Sequence, residues 1–387
     1  MEKKYMKDNY RKLGEYIRAV DVRNSDLKIS RLLGLSIEKC FIESIANTIG
    51  TDFRPYKIVK KGQFAYGPVT SRNGDKITIA LLEEPECIIS SSYSVFEITD
   101  TTKLLPEYLM LWFSRPEFDR YARYKSHGSV REIFDWDEMC RVELPVPDLT
   151  EQQRIVNAYN TVDRRIRLLQ QINGKLEETC FLNYSKLLND EMDNLISGTI
   201  GDYAKVKSGY AFKSEWWTEE GFKVIKIGNI VNNTIDLDSC AKVAKNNIQK
   251  SKEFYVKTGD LLIAMTGATT GKVGIVPITN EIVSVNQRTG KFFLGDNPIE
   301  RVPYLFAMMQ SSVIKKAITP DGEAGSAQDN LSPDDIQSIE VYYPPREKID
   351  LFNKTNKPII CEILQNLDEI VKLQKMNKLL ISRISGM

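Results

Sequence analysis

The sequence holds a single histidine, His127, in 387 residues. Histidine does most acid–base work near neutral pH. A Ser-His-Asp or Cys-His centre, or a polyhistidine metal site, would therefore have to be built around that one side chain, and His127 reads instead as a polar loop residue. Cysteine is sparse and dispersed. Cys40, Cys87, Cys140, Cys180, Cys240 and Cys361 include no CxxC pair and have no close histidine, which argues against zinc or a disulfide framework and for thiols in a reducing compartment. No stretch approaches the ~20 continuous apolar residues of a membrane span. Residues 1–7 lack the apolar core of a signal peptide, so the expectation is a cytoplasmic protein without a membrane partner. An excess of either charge is missing too: 53 basic against 52 acidic residues leave +1. Any nucleic-acid surface must then be a local patch balanced by acid elsewhere.

What is present is ordinary globular composition, 42% hydrophobic and 27% charged. The chain is longer than one core uses, which points to two domains. The two halves match in order, at an offset near 190 residues. Leu13-Gly14-Glu15-Tyr16 answers Ile200-Gly201-Asp202-Tyr203, and Lys61-Gly62-Gln63-Phe64 answers Thr258-Gly259-Asp260-Leu261. Tyr108-Leu109-Met110-Leu111 answers Tyr304-Leu305-Phe306-Ala307, and Gly128-Ser129-Val130-Arg131 answers Gly325-Ser326-Ala327-Gln328. Leu144-Pro145-Val146-Pro147 answers Val341-Tyr342-Tyr343-Pro344-Pro345. Each pair is weak alone; five in one order indicate two copies of one domain, because the period is far too long for a solenoid.

Short β-branched runs bounded by turn residues predict strands over 77–82, 87–89 and 94–98, and over 223–227, 260–264 and 272–276. Residues 106–121 and 302–318 carry apolar side chains at helical spacing. The fold class is α+β. Each copy is followed by a heptad pattern. Ile155, Tyr159, Val162, Ile166, Leu169, Leu176 and Cys180 fall at alternating steps of four and three, with Asn173 in the remaining slot. Ile360, Ile363, Leu367, Ile370, Ile381 and Ile384 repeat the scheme, with Gln374 and Asn377 between them. A seam only two positions wide marks a coiled coil. Thr150 reads as the N-cap of the first helix, with Glu151-Gln152-Gln153 after it resembling a capping box. Pro358 reads as a first-turn proline of the second. Two separate amphipathic helices would share this spacing; matching lengths and the amides in both seams favour an antiparallel pair. The chain then divides into a first domain, 1–149, a long helix, 150–190, a second domain, 191–345, and a second helical region, 346–387.

This organisation resembles the specificity subunit of type I restriction–modification systems. The residues that carry the likeness are Leu144-Pro145-Val146-Pro147-Asp148-Leu149-Thr150-Glu151-Gln152-Gln153-Arg154-Ile155-Val156, similar to the family's junction between target-recognition domain and conserved helix. Ile225-Lys226-Ile227-Gly228-Asn229-Ile230 resembles a strand motif early in those domains. Gly259-Asp260-Leu261-Leu262 with 267–276 resembles their central strand pair, and Ser284-Val285-Asn286-Gln287 the next strand. The second junction, Tyr343-Pro344-Pro345-Arg346-Glu347-Lys348, departs by lacking the Glu-Gln pair, and the first copy has Leu33-Gly34-Leu35-Ser36-Ile37 where Ile-Gly-Asn is expected. The resemblance implies a chain that performs no chemistry. Each copy would read one half of a bipartite, asymmetric double-stranded DNA site, the halves about one helical turn, roughly 34 Å, apart. The helices would set the unread spacer and dock two methyltransferase subunits, which bind S-adenosylmethionine; motor-nuclease subunits would join for restriction.

Other chemistry fits poorly. Gly267-Ala268-Thr269-Thr270-Gly271-Lys272-Val273 has one residue too few between its glycines for a phosphate-binding loop, and valine where Ser or Thr belongs. Asn297-Pro298-Ile299 and Tyr342-Tyr343-Pro344-Pro345 do not make an adenine-methyltransferase motif. Asp135, Asp137, Glu138, Asp334 and Asp335 read as solvated helix faces rather than a nuclease metal cluster. DNA contacts are expected from loops that mix base-edge readers with phosphate binders. In the first copy these are Tyr66, Thr70, Ser71, Arg72, Asn73 and Lys76, then Ser91, Ser92 and Tyr93, then Lys125, Ser126, His127 and Arg131. In the second they are Lys207, Ser208, Tyr210, Lys213, Thr266, Thr269, Thr270 and Lys272, with Asn286, Gln287, Arg288, Gln328 and Asn330. Trp216-Trp217 reads as the edge of a core. The competing readings are a protein–protein scaffold using the same duplicated domain without reading DNA, and a self-sufficient DNA methyltransferase or nuclease.

Overall fold

A computed structural model describes residues 10–44, 50–71, 74–127, 132–318 and 330–384. The chain forms two compact units: residues 1–165 with 373–387, and residues 166–372. In unit 1 an antiparallel sheet runs Ile17–Val20, Ser94–Ile98, Phe64–Tyr66, Ile79–Leu81. In unit 2 the same order recurs as Lys205–Ser208, Thr289–Phe293, Leu261–Ala264, Val273–Ile275, extended by Thr234–Ile235 and Ile230–Val231. A smaller pairing repeats as well. Tyr10–Lys12 pairs with Glu143–Pro145, and Ile196–Thr199 with Glu340–Tyr343.

The helices of unit 1 are α1 (Pro106–Phe113), α2 (Pro116–Lys125), α3 (Trp136–Arg141) and the first part of α4 (Leu149–Asp190). Unit 2 takes the rest of α4, then α5 (Ile200–Tyr203), α6 (Lys245–Ile248), α7 (Val302–Gln310), α8 (Ser312–Ile318), α9 (Pro333–Ser338) and most of α10 (Arg346–Arg383). The helical pattern over 106–121 is thus two helices, because Pro116 holds Arg115 extended at ψ 139°. That over 302–318 breaks likewise at extended Ser311.

The duplication is carried by matched interior contacts. Leu13 and Ile200 are fully buried, and their N–H groups donate to Val142 and Ile339, which follow α3 and α9. Asp135 caps α3 and Ser332 caps α9, each accepting from the third helical residue. Asp135, Asp137, Asp334 and Asp335 are exposed, as the solvated-face reading expects, with Asp135 and Asp335 also serving as capping groups, whereas Glu138 is buried. Gly62 and Gly259 turn the chain with φ of +84° and +85°, a left-handed conformation that favours glycine. The next residue, neutral in one unit and acidic in the other, uses one geometry toward partners of opposite charge. Gln63 accepts from the Lys60 N–H and donates to Glu97 at 2.8 Å; Asp260 accepts from the Lys257 N–H and pairs with Lys291 at 2.9 Å.

Asp148, rather than Thr150, caps α4: its carboxylate accepts from the Glu151 N–H at 2.9 Å. Gln152 is fully buried and fastens α4 to the start of α1. Its Nε2 donates to the carbonyls of Lys103 and Pro147, and its Oε1 accepts from Leu105 N–H, each at 2.8 Å. Unit 2 does the same with a different amide. Asn353, buried on α10, accepts from the Tyr304 N–H in the first turn of α7 at 3.0 Å.

Pro358 does not start the second helix but lies inside α10. It costs about 3 kcal/mol in a helix interior. Here it stands on an exposed face, and burial on both sides, of Phe352 and Asn356 before it and Ile360 and Ile363 after it, offsets that cost. Within unit 2, α4 and α10 run antiparallel. Asn173 bonds Asn366 at 2.8 Å, and ten residues along α4, Asn183 bonds Asn356 at 2.7 Å, ten residues back along α10. Ile166, Leu169, Asn173, Ile360, Ile363 and Ile370 are buried along this pair, with Leu176 and Leu367 half-buried. In unit 1, Ile155, Val156, Ile384 and half-buried Tyr159 share one core; Val162 and Asn377 are buried and Ile381 half-buried. Gln374 departs from the seam and is exposed.

Candidate nucleic-acid interface

In both units the polar loops leave the same end of the equivalent sheet. Unit 1 aligns Tyr66 with Ile79 and with Ser94. The loops before Ile79, before Ser94 and after α2 therefore meet at that edge. Val69 and His127 both bridge to Ile133, and the Thr70 hydroxyl donates to Ser126 at 2.9 Å. Unit 2 aligns Ala264 with Thr289 and Ser208 with Gly290. Tyr210 bridges to Asn286, Gln287 N–H donates to the Tyr210 carbonyl, and Met265 N–H donates to the Arg288 carbonyl. Leu331 N–H donates to the Met265 carbonyl, bringing exposed Asn330 to the same edge.

Most of the nominated side chains reach the surface there, and two do not. Tyr66 is a core residue, packed edge-on against Phe96 and Phe134, and burial pushes its hydroxyl up to about 12. Ala65 and Gly67 on either side of it are buried as well, so its strand has no exposed face. Thr70 is also buried; its hydroxyl ties the loop to Ser126 and to the Glu132 carbonyl. Ser71, Lys76, Ser91, Ser92 and His127 are exposed, and Tyr93, Lys125 and Ser126 half-buried. Lys76 pairs with Glu38 at 2.8 Å. Arg72, Asn73, Arg131 and Gln328 lie outside the described residues, as do 128–131 and 325–328 as a matched pair.

In unit 2, Lys207, Lys213, Lys272, Gln287 and Arg288 are exposed; Ser208, Tyr210, Thr266, Thr269, Thr270 and Asn286 are half-buried. Lys207 is ion-paired to Glu253. The side chains of Lys272 and Arg288 make no ion pair among the described residues. The hydroxyl oxygens of Thr266 and Thr269 are enclosed without a hydrogen-bond partner. The Ile225–Ile230 string is only partly a strand: the strand ends at Ile225, and Ile227–Asn229 is a turn closed by the buried Asn229 side chain, which accepts from Lys226 N–H. Asn286 and Gln287 likewise occupy the turn after Val283–Val285. Trp216 and Trp217 border a small core with Phe212 and Val224. Lys226 and Lys250 reach these two indoles from elsewhere in the chain, a convergence with no signal in the local sequence.

No group of three or more His, Cys, Asp or Glu among the described residues is placed to hold a metal. No helix among them is long and apolar enough to cross a membrane. Burial pushes the thiols of Cys87, Cys180 and Cys240 up to about 12, away from the thiolate that nucleophilic chemistry needs.

Two copies of one α+β domain, each turning a polar loop edge outward, with long helices among them, define a tandem recognition protein. The chain belongs to the type I restriction modification DNA specificity domain family, which it matches twice, over residues 3–178 and 192–381. It is 22% identical to the HindI type I restriction enzyme specificity subunit of Haemophilus influenzae, over 85% of this chain and 86% of that one. It is 19% identical to the MjaVIII specificity subunit of Methanocaldococcus jannaschii, over 74% and 69%. The fold is similar to that of the type I restriction–modification S subunit of M. genitalium, with a TM-score of 0.53 at 16% identity, covering 97% of this chain and 95% of that one.

Proposed function

We propose that the chain is the non-catalytic DNA-reading subunit of a type I restriction–modification complex, each unit reading one half of a bipartite, asymmetric site in double-stranded DNA. The observation that carries this is the convergence of the polar loops, in two diverged copies, on the same end of the same strand order. Arginine is matched to guanine and Asn or Gln to adenine by bidentate geometry. On that basis Arg288, Gln287 and Asn286 are base readers of unit 2, supported by Thr266, Thr269, Thr270 and Lys272. Ser71, Ser91, Ser92, Lys125 and His127, with Arg72, Asn73 and Arg131, are the readers of unit 1. The α4–α10 pair sets the unread spacer and docks two methyltransferase subunits, and motor-nuclease subunits join for restriction. S-adenosylmethionine belongs to the methyltransferase partners, and this chain requires no cofactor of its own. The working compartment is the cytoplasm.

Mapping methylated adenines in cells with and without the chain tests this. The expected result is loss of one two-part motif with a fixed gap; unchanged methylation, or a continuous motif, refutes it. Arg288→Ala should cost about 1–3 kcal/mol at one base position and relax specificity there. A scaffold that does not read DNA would bind no duplex with or without that substitution.

A further inference from the structure

Unit 2 carries a cationic surface beside its reading edge that the loops do not account for. After the Lys205–Ser208 strand the chain passes through Tyr210, Lys213, Trp216 and Trp217. Tyr210 lies nearly flat against Trp216, ring centres 6.3 Å apart and planes 16° from parallel. Three lysines gather on the two indoles. Lys250 Nζ is 4.3 Å and Lys213 Nζ 5.7 Å from the Trp216 ring centre, and Lys226 Nζ is 3.7 Å from that of Trp217. A ring face attracts a cation without cancelling its charge. Glu215, Glu219 and Glu220 share the segment, yet none of the three lysines makes an ion pair among the described residues. Lys250 also donates to the neutral Asn247 side chain at 3.4 Å.

The equivalent stretch of unit 1 is built the opposite way. It follows the Ile17–Val20 strand, the counterpart of Lys205–Ser208, and its cations face carboxylates. Arg23 and Lys57 meet Asp21 at 2.8 and 3.5 Å, Lys28 meets Asp26 at 2.6 Å, and Arg31 meets Glu43 and Glu84 at 2.5 and 3.4 Å. Those charges are already answered within the protein. In unit 2 Lys207 and Lys223 are answered by Glu253 and Glu281, but Lys213, Lys226 and Lys250 are positioned without a carboxylate, which is the state that releases counterions when a polyanion arrives.

We propose that Lys213, Lys226 and Lys250, held on the Trp216–Trp217 pair, form a sequence-independent grip on the phosphate backbone of duplex DNA, present in unit 2 and without a counterpart among the described residues of unit 1. This rests on the reading that unit 2 binds DNA. Tyr210 joins the grip to the reading edge: its N–H donates to Val285 at 2.8 Å, its carbonyl accepts from Gln287 at 3.0 Å, and its ring backs Trp216. Phosphate contacts position and strengthen, while base-edge contacts discriminate. The two units thus divide the work unequally.

The test is equilibrium binding of the full chain to a duplex of arbitrary sequence between about 50 and 200 mM salt. Combining Lys213→Gln, Lys226→Gln and Lys250→Gln should flatten the slope of log affinity against log salt by about 0.9 per lysine. Combining Arg23→Gln and Lys28→Gln in unit 1 should leave the slope at its wild-type value. An unchanged slope in the triple variant, from a wild type that does bind, overturns the grip alone. A comparable loss from the unit 1 variant overturns the asymmetry. A wild type that shows no salt-dependent binding overturns the DNA reading and the grip together. Lys213, Lys250 and Lys28 are exposed and Lys226 and Arg23 half-buried, and thermal melting at the wild-type temperature separates lost contact from lost fold.

Discussion

Removing one side of the buried Asn173–Asn366 pair should cost unequal amounts depending on which side is removed. Asn366 Nδ2 donates to Asn173 Oδ1 at 2.8 Å, and Asn173 Nδ2 in turn donates to the Ile363 carbonyl at 3.4 Å. Both side chains are nearly inaccessible to water. Asn173→Leu strands the Asn366 amide hydrogens among apolar neighbours, which costs about 1–3 kcal/mol. Asn366→Leu strands only an acceptor, since Asn173 keeps its bond to Ile363; the loss should sit near about 1 kcal/mol. Replacing both removes the stranded groups, and a buried polar pair exchanged for apolar side chains is often near neutral or stabilising. The double-mutant cycle should therefore return a coupling of about 1–3 kcal/mol, the pair variant being less damaged than the sum of the singles. Urea unfolding of the full chain, followed by helical circular dichroism, measures it. Additive singles of equal size would refute the pairing. In the pair variant the cost falls on register instead, because a polar residue at a seam position fixes alignment, and Asn183–Asn356 is left to hold it alone.

Three further outcomes follow from other buried polar groups. Gln152→Leu leaves Leu105 N–H and two carbonyls without their partner and should lower stability by about 3 kcal/mol, read as a melting shift. Lys291→Met leaves the Asp260 carboxylate enclosed without its ion-pair partner, at about 3–5 kcal/mol; adding Asp260→Asn, which still accepts from Lys257 N–H, should restore most of it. Glu177 on α4 is held above the ordinary carboxyl range by burial, which outweighs the opposing bond from Asn233. A raised carboxyl contributes stability that is present in acid and lost as pH climbs through the raised value. Glu177→Gln should accordingly stabilise the chain at neutral pH and leave it unchanged in acid; equal denaturation midpoints at neutral pH would contradict this.

The heptad seam was legible because burial persists over many turns, and a four–three spacing sustained from Ile155 to Cys180 has few other solutions. The ends were not. Asp148 takes the cap because its carboxylate reaches Glu151 N–H, and Thr150, two residues on, offers an equally good local signal. α10 runs through Pro358 because flanking packing outweighs a local penalty, which no window around the proline can reveal. Gln374 is exposed although it sits at seam spacing, while Leu364 and Asn366, off that spacing, are buried. At the sheet edges, loop composition picked segments that the fold gathers at one end of each sheet, because loop tips face solvent. It misplaced Tyr66, whose strand is buried on both faces, and Thr70, whose hydroxyl is spent on Ser126 and the Glu132 carbonyl. The lysines on the tryptophan pair come from three separate places in the chain, so only the fold assembles them.

The two copies keep hydrogen-bond geometry while exchanging chemistry. Gln63 with Glu97 and Asp260 with Lys291 occupy one site in the fold: the first residue after the left-handed glycine, facing the neighbouring strand and accepting an N–H from three residues back. Gln152 and Asn353 secure the starts of α1 and α7 from different turns of different long helices. What such a site constrains is the position of donors and acceptors, because an unpaired buried polar group is costly whatever its charge. Identity is therefore free to drift so long as each pairing drifts as a unit. The loop edges, where most side chains face water and fewer are tied to a buried partner, are freer still to diverge between the two copies of one frame.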